Sequence, residues 1–239
     1  MKPSQGRVSM TGNEAIHLDA RLAQLGVNKQ IFVDALEWAA GQARMCTEFD
    51  APSMSGITFW SRANRYLAER LTDRKYLAEH LRGVNESSSP WKYTRRDSIL
   101  RVVHPAATHA ITAISGSGGI GDLDRSVRSK NPKGRTMAVI VENNAKFERR
   151  TGQGVIQSRD DIEFGGELDE MPLWFLLYER TAAGLAAELS LPVKMEGKYV
   201  NEWSERIPLF TLPDPGVDIE LLDAPDDDNG VHIPVQFTG

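Results

Sequence analysis

Apolar residues recur at helical spacing in the first third of the chain. Asn28 is a typical helix N-cap, and one apolar face follows it at Ile31, Phe32, Ala35, Leu36, Ala39 and Ala43. A second helix is predicted after Asp50-Ala51-Pro52, with an apolar face at Phe59, Ala63, Tyr66, Leu67 and Leu71 that continues to Leu77 and Leu81. Gly83 is a typical helix end. We therefore expect two N-terminal helices.

Beyond residue 90 the pattern changes to that of strands. Ser98–His104 and His109–Ser115 are rich in β-forming residues and flank a short Pro-containing turn, which predicts a hairpin. Leu173–Glu179 and Leu185–Val193 predict a second hairpin. Two further strands are predicted after the turn at Glu196-Gly197, namely Lys198–Val200 and Arg206–Phe210.

The segment Thr136–Arg150 is compatible with two structures. Val139-Ile140-Val141 favours a strand, whereas helical spacing is seen at Met137, Ile140, Val141, Asn144 and Phe147. No turn residue intervenes before Gly152, so we favour a helix. A Gly- and Arg-rich loop, 116–135, is predicted before it and a polar loop, 151–171, after it.

Helical patterns come first and hairpins later, so the predicted fold class is α+β, with N-terminal helices packed on a mainly antiparallel sheet built from hairpins. We expect a flexible N-terminal arm (1–26), a single α+β domain (27–212) and an acidic C-terminal tail (213–239). The segment Asn85–Pro90, with three consecutive serines, leaves open a helical subdomain over 27–84.

The amino-acid composition favours a globular protein over a disordered or a membrane-spanning one. A hydrophobic content of 41% over 239 residues is typical of a globular fold and argues against general disorder. No apolar run resembles a signal peptide or a membrane span, so we expect no membrane association. The one cysteine, Cys46, has no partner for an internal disulfide, and a reducing, cytoplasmic environment is expected.

Charge is sorted along the chain. Residues 92–159 carry 13 Lys and Arg against 5 Asp and Glu, a balance of +8. Residues 160–239 carry 4 Lys and Arg against 18 Asp and Glu, a balance of −14. A basic segment attracts phosphate-bearing partners, and an acidic one repels them or competes for the same surface.

The candidate anion-binding residues all lie in the basic segment, and Trp91 and Tyr93 beside Lys92 would suit a stacked base. They are Lys92, Arg95, Arg96, Arg125, Arg128, Lys130, Lys133 and Arg135, together with the loop glycines Gly116, Gly118 and Gly121. If the loop folds back, the cations before and after the first hairpin would form one patch. The alternative is a solvated loop whose charges balance the acidic half of the chain.

The segment 116–121 matches G-x-G-x-x-G and follows a predicted strand. A dinucleotide site would need a helix to start there, but Asp122-Leu123-Asp124 and Pro132 disfavour one. Glu142 lies at a suitable distance for a ribose contact, but no parallel βαβ unit is predicted around it. We therefore expect a flexible connection, with a different kind of phosphate-binding loop as the alternative.

His104 and His109 flank the first hairpin turn, and with Asp122 and Asp124 they are the nearest set of metal-ligating residue types. Their spacing fixes no geometry, so we expect no metal and no cofactor.

The leading functional hypothesis is a non-enzymatic protein that binds nucleic acid or another phosphate-bearing partner. Two alternatives stay open. One is an interaction subunit that uses the acidic tail and the aromatic C-terminal sheet as contacts. The other is an enzyme that acts on a phosphate-bearing substrate at the Gly-rich loop.

Overall fold

The computed structural model describes residues 12–96, 99–152, 171–181 and 184–213. These residues form five helices: α1 (Gly12–Gln24), α2 (Lys29–Ala43), α3 (Met54–Thr72), α4 (Arg74–His80) and α5 (Arg135–Gly152). They also form seven strands: β1 (Lys92–Arg96), β2 (Ile99–Val103), β3 (Ala110–Ser117), β4 (Arg128–Ser129), β5 (Leu173–Thr181), β6 (Gly184–Glu196) and β7 (Tyr199–Pro213). The α+β prediction is confirmed.

The strands form one sheet in the order β1-β2-β3-β5-β6-β7, with β4 paired to the end of β3. Every pairing is antiparallel except that of β3 with β5, which is parallel from Ala110 opposite Leu173 to Ser115 opposite Tyr178. Because α5 lies between these strands in the chain, β3, α5 and β5 form a parallel βαβ crossover. The expectation that no such unit surrounds Glu142 was therefore wrong.

Helices α2 to α4 follow the predicted apolar faces with one correction, and α1 precedes the two helices that were expected. The Asn28 side chain caps α2 by accepting the Ile31 N–H at 3.0 Å, as predicted. The second predicted helix is two helices, because the backbone becomes extended at Asp73. The Asp73 carboxylate accepts the N–H groups of Lys75 and Tyr76 and so starts α4.

Several strand boundaries also differ from the prediction. β1 was not predicted, since its sequence Lys-Tyr-Thr-Arg-Arg has no apolar alternation. β7 is one continuous strand where two short ones were expected. The predicted helix at 136–150 is confirmed as α5. The loop 153–170, the turn residues 182–183 and the tail 214–239 lie outside the described residues.

The sheet is covered on both faces. On one face, helices α1 to α4 contribute apolar side chains that pack with sheet residues such as Ile111 and Leu176. These helix residues include Leu22, Phe32, Phe59 and Leu67. On the other face, α5 and the Gly-rich loop contribute Ile140, Ile120 and Val127, which pack with Phe175, Leu177 and Val200. The core thus reaches back to Leu22, before residue 27; the division into arm, domain and tail stays a prediction. No helix among the described residues is long and apolar enough to cross a membrane.

A buried asparagine holds α5 against the sheet. The Asn144 amide donates to the carbonyls of Leu173 and Pro192 at 3.1 and 3.0 Å, and its side-chain oxygen accepts the Leu173 N–H at 3.1 Å. The start of β5 and the middle of β6 are therefore fastened to the same side chain. This contact fixes α5, and with it the basic loop before it, over one face of the sheet.

Candidate functional site

The Gly-rich loop closes on carboxylates of the protein itself. The N–H groups of Gly119 and Ile120 donate to Glu179 Oε2 at 3.2 and 3.3 Å. The N–H of Gly121 donates to Glu188 Oε2 at 2.9 Å. A phosphate cradle needs such amides to point at a ligand. Here they hold two glutamates.

Glu188 is fully buried on β6 and joins the loop to β7. Arg206 of β7 donates to both Glu188 oxygens at 2.9 and 2.7 Å, and the Ser190 hydroxyl donates to one of them at 2.7 Å. Arg206 also donates to the carbonyls of Arg125 and Asp122 at 2.7 and 3.1 Å. One buried ion pair thus fixes the path of the loop over β6 and β7.

Two glycines of the predicted site pack closely against the loop itself, and the packing requires a glycine at Gly118. Gly118 has φ +109°, and a Cβ there would lie 2.4 Å from the Ser126 carbonyl oxygen. A Cβ on Gly116 would lie 2.8 Å from the Ile120 side chain. The close approach that these glycines allow is to the chain's own backbone and side chains.

A shallow pocket of about 450 Å³ opens beside this loop, lined by Gly118, Gly119, Arg125, Glu179, Thr181, Gly184, Ala186 and Thr211. Its cation, Arg125, pairs with Asp122 at 3.3 Å. The Glu179 carboxylate on the opposite side repels an anion. The pocket therefore favours a neutral or hydroxyl-bearing group over a phosphate.

The half-buried His104 and the buried His109 stack on each other, and Trp91 lies perpendicular to both. The rings of His104 and His109 lie 5.0 Å apart at 21°, and both meet the edge of the Trp91 ring system. His109 Nε2 bonds the Leu25 carbonyl at 3.2 Å. Burial lowers the pKa of both histidines, and it lowers that of His109 to about 3, with smaller contributions from His104 and Arg21.

These histidines do not meet Asp122 and Asp124. The two pairs flank opposite ends of β3, whose eight residues span about 26 Å. Within the described ranges, no group of three or more His, Cys, Asp and Glu side chains could hold a metal ion. The histidine pair instead joins the α1–α2 connection to the β2–β3 turn.

The predicted cations fall into two groups with different neighbours. Lys92 and Arg95 are exposed on the edge strand β1, where Arg95 faces α3; Arg96 ends the same strand. The loop cations around β4 lie against the end of β3 and the start of β7, whereas Arg125 lies further along β7, beside Arg206 and Thr211. The two groups border different elements, so the loop does not fold back onto β1.

The loop cations gather around β4 and the β6–β7 turn. The Arg128 guanidinium lies over the Tyr199 ring at 5.2 Å, and the Lys133 N–H donates to the Lys198 carbonyl at 2.7 Å. The Ser129 hydroxyl accepts the Val200 N–H at 3.1 Å. We call this region the β4 basic surface; its cations are Arg128, Lys130, Lys133, Arg135 and Lys198.

Four of these five cations are exposed, namely Arg128, Lys130, Arg135 and Lys198. Lys133 is only half exposed, and burial lowers its pKa to about 8. With this pKa, Lys133 still carries most of its positive charge at neutral pH. Exposed cations grouped in this way attract anions.

The predicted aromatic contacts divide between core and surface. Trp91 is buried, whereas Tyr93 is 50% exposed and lines a groove with Trp60, which is 39% exposed. Trp174, Phe175 and Phe210 of the C-terminal sheet are core residues. Trp203 is half-buried and donates to the Val127 carbonyl at 3.0 Å. Trp60 and Tyr93 are thus exposed on α3 and β1, and the other exposed aromatic side chains of the described residues, Trp38 and Phe49, also lie outside strands β5 to β7.

Sequence reasoning missed three residues of this region. Lys198 joins the basic surface only because β7 brings it beside Lys133, which no local pattern reports. Arg206 and Glu188 fix the loop, and Glu188 did carry a signal. It is a charged residue inside the apolar run Leu185–Val193, where a buried charge needs a partner.

Comparison with protein families, with curated proteins and with solved structures finds no match.

Proposed function

We propose that this protein is a non-enzymatic binding protein whose β4 basic surface holds nucleic acid. The observation that carries the proposal is the group of cations around β4 and the β6–β7 turn, where Arg128 lies over the Tyr199 ring and the backbones of Lys133 and Lys198 are hydrogen-bonded. The partner's phosphates would contact the exposed cations. Tyr199, which is only partly buried, offers a ring edge to a sugar or base at the centre of the surface.

Local charge supports this proposal although the whole chain carries −5. Exposed charges more than about 8–10 Å apart are screened at physiological salt, so a phosphate on the β4 basic surface interacts mainly with the cations there. Each phosphate neutralised in this way releases counterions, which makes the affinity strongly dependent on salt.

The arrangement of the Gly-rich loop argues against the enzymatic alternative. Its amides at Gly119, Ile120 and Gly121 already donate to Glu179 and Glu188. A nucleotide phosphate would have to displace these carboxylates against their repulsion. Nucleic-acid binding at the β4 basic surface requires no such rearrangement.

A second candidate function is protein interaction, favoured by a separate observation. The α2–α3 connection and the start of α3 expose large apolar side chains, with Phe49 91%, Met45 72% and Ile57 53% exposed. Grouped exposed apolar side chains are typical of contact surfaces. An interaction role would use this apolar surface, since the aromatic residues of the C-terminal sheet are buried.

Heparin chromatography tests the proposed function. We expect the protein to be retained despite its pI of about 5.6. The triple variant Arg128→Ala, Lys130→Ala and Lys198→Ala should elute at clearly lower salt. The matched control replaces the exposed cations Arg74, Lys75 and Arg82, away from β4, and should elute like the wild type. Equal elution of both triple variants would overturn the proposal.

A further inference from the structure

A groove lies where α3 passes over the β1–β2 hairpin. It has a volume of about 530 Å³ and is lined by Trp60, Ser61, Arg65, Ala68, Glu69, Thr72, Tyr93, Arg95 and Leu100. Its two aromatic side chains, Trp60 and Tyr93, are 39% and 50% exposed. The groove is open to solvent and combines aromatic and aliphatic side chains with charged and hydroxyl-bearing ones.

The open side of the groove is the edge of the sheet. β1 pairs with β2 from Lys92 opposite Val103 to Arg96 opposite Ile99, and it is the terminal strand in the sheet order of the described residues. An edge strand presents backbone N–H and C=O groups on its outer side, which can pair with an added strand. Side chains of such a strand alternate between the two faces, so every second one would enter the groove.

Positive charge borders β1 on both faces. Tyr93 and Arg95 face the groove, and strand alternation places the exposed Lys92 on the opposite face. The other groove cation, Arg65, is paired with Glu69 at 2.7 Å. The charge next to an added strand is therefore positive, which favours acidic over basic side chains in that strand.

We propose that the α3–β1 groove binds an extended acidic peptide of a partner protein, which adds to β1 as a further antiparallel or parallel strand. Apolar side chains of the peptide pack against Trp60, Tyr93 and Leu100, and the carboxylates that alternate with them lie on the opposite face, next to Lys92. This mode of recognition takes affinity from main-chain hydrogen bonds and specificity from alternate side-chain positions. The groove is separate from the β4 basic surface.

The test uses the full chain and a fluorescein-labelled synthetic peptide in which Val and Ile alternate with Asp and Glu. Fluorescence anisotropy should show saturable binding with a Kd below about 1 mM. Trp60→Ala and Tyr93→Ala should each weaken binding at least about tenfold. Trp38→Ala is the matched control, because Trp38 is 40% exposed but lies on α2, and it should bind like the wild type.

Two altered peptides test strand addition and charge. A peptide with N-methyl groups on alternate backbone nitrogens, made in both registers, should lose binding in one register only. A peptide with Lys in place of Asp and Glu should not bind. The inference is overturned if the acidic peptide shows no saturable binding, if both N-methylated registers bind normally, or if a single-stranded oligothymidine displaces the peptide and depends equally on Trp60.

Discussion

Asn64 of α3 takes the place of β2 as the hydrogen-bonding partner of Ala113 in β3. Its side-chain oxygen accepts the Ala113 N–H, and its amide donates to the Ala113 carbonyl, both at 3.0 Å. Pairing of β3 with β2 is confined to Val102 opposite Ile111 and Val103 opposite Ala110, so at Ala113 the helix takes over. The contact thus ties α3 to the middle of β3, beyond the last residues that β3 pairs with β2.

Asn64→Ala should therefore destabilise the protein strongly. It leaves the buried Ala113 N–H and C=O without their partner, at about 1–3 kcal/mol for each group. We expect the free energy of unfolding in urea to fall by about 2–5 kcal/mol. Asn131→Ala, at an exposed position, should change it by less than about 0.5 kcal/mol. A small effect of Asn64→Ala would contradict this account of the helix contact.

Breaking the Glu188–Arg206 ion pair should lower the stability of the protein and also loosen the Gly-rich loop. Glu188→Gln leaves the largely buried Arg206 without its carboxylate, which should cost about 3–5 kcal/mol of stability. Trypsin should also cleave faster after Arg125, because Arg206 no longer fixes the carbonyls of Asp122 and Arg125.

The control for this change is Glu202→Gln, which breaks the exposed pair with Lys194. Exposed pairs contribute little, so we expect less than about 1 kcal/mol and unchanged cleavage at Arg125. If both variants behaved alike, the buried pair would not be what holds the loop.

The burial of His109 should make the free energy of unfolding depend on pH. Its pKa is lowered from 6.5 to about 3 in the folded protein, mainly by burial. Above pH 6.5 the histidine is neutral in both states. Below it the unfolded state gains a proton that the folded state does not, so this contribution to stability is lost at about 1.4 kcal/mol per pH unit as the pH falls towards 3.

Urea unfolding between pH 7 and pH 4 measures this effect. His109→Gln should show a shallower loss of stability with falling pH than the wild type. His17→Gln, at an exposed position, should keep the wild-type slope. Equal slopes in all three proteins would show that His109 does not titrate as its burial requires.

Nucleotides at millimolar concentration should leave the melting temperature unchanged. A ligand that binds only the folded state raises it by mass action. The amides of the Gly-rich loop are held by Glu179 and Glu188, so no cradle is free for a phosphate. A clear rise in melting temperature with any one nucleotide would favour the enzymatic alternative and make this loop the place to seek chemistry.

Local patterns were sufficient for the elements whose structure depends on near neighbours. Asn28 and the spacing of Ile31 to Ala43 predicted α2 correctly, because a cap and an apolar face are both encoded within a few residues. The Leu185–Val193 strand was predicted for the same reason. The break at Asp73 was missed because the apolar face continues through it to Leu77.

Long-range pairing was not predictable in this way. The parallel contact of β3 with β5 joins residues about sixty positions apart, such as Ala113 and Leu176, and leaves no trace in either strand. Strand β1 was missed because an edge strand needs little apolar sequence. The basic residues of 125–135 were found from composition, but only the fold shows that Lys198 joins them and that Lys92 does not.

Binding of nucleic acid to the β4 basic surface should weaken steeply as the salt concentration rises. Measuring this dependence shows whether the cations of the surface make the contact. Affinity for a single-stranded oligothymidine is measured by anisotropy between about 50 and 200 mM salt for the wild type, the Arg128, Lys130 and Lys198 triple variant and the Arg74, Lys75 and Arg82 control. We predict that the first triple variant lowers the slope of log K against log salt by roughly 2 and that the control keeps the wild-type slope. Identical slopes and affinities for the two triple variants would contradict nucleic-acid binding at this surface.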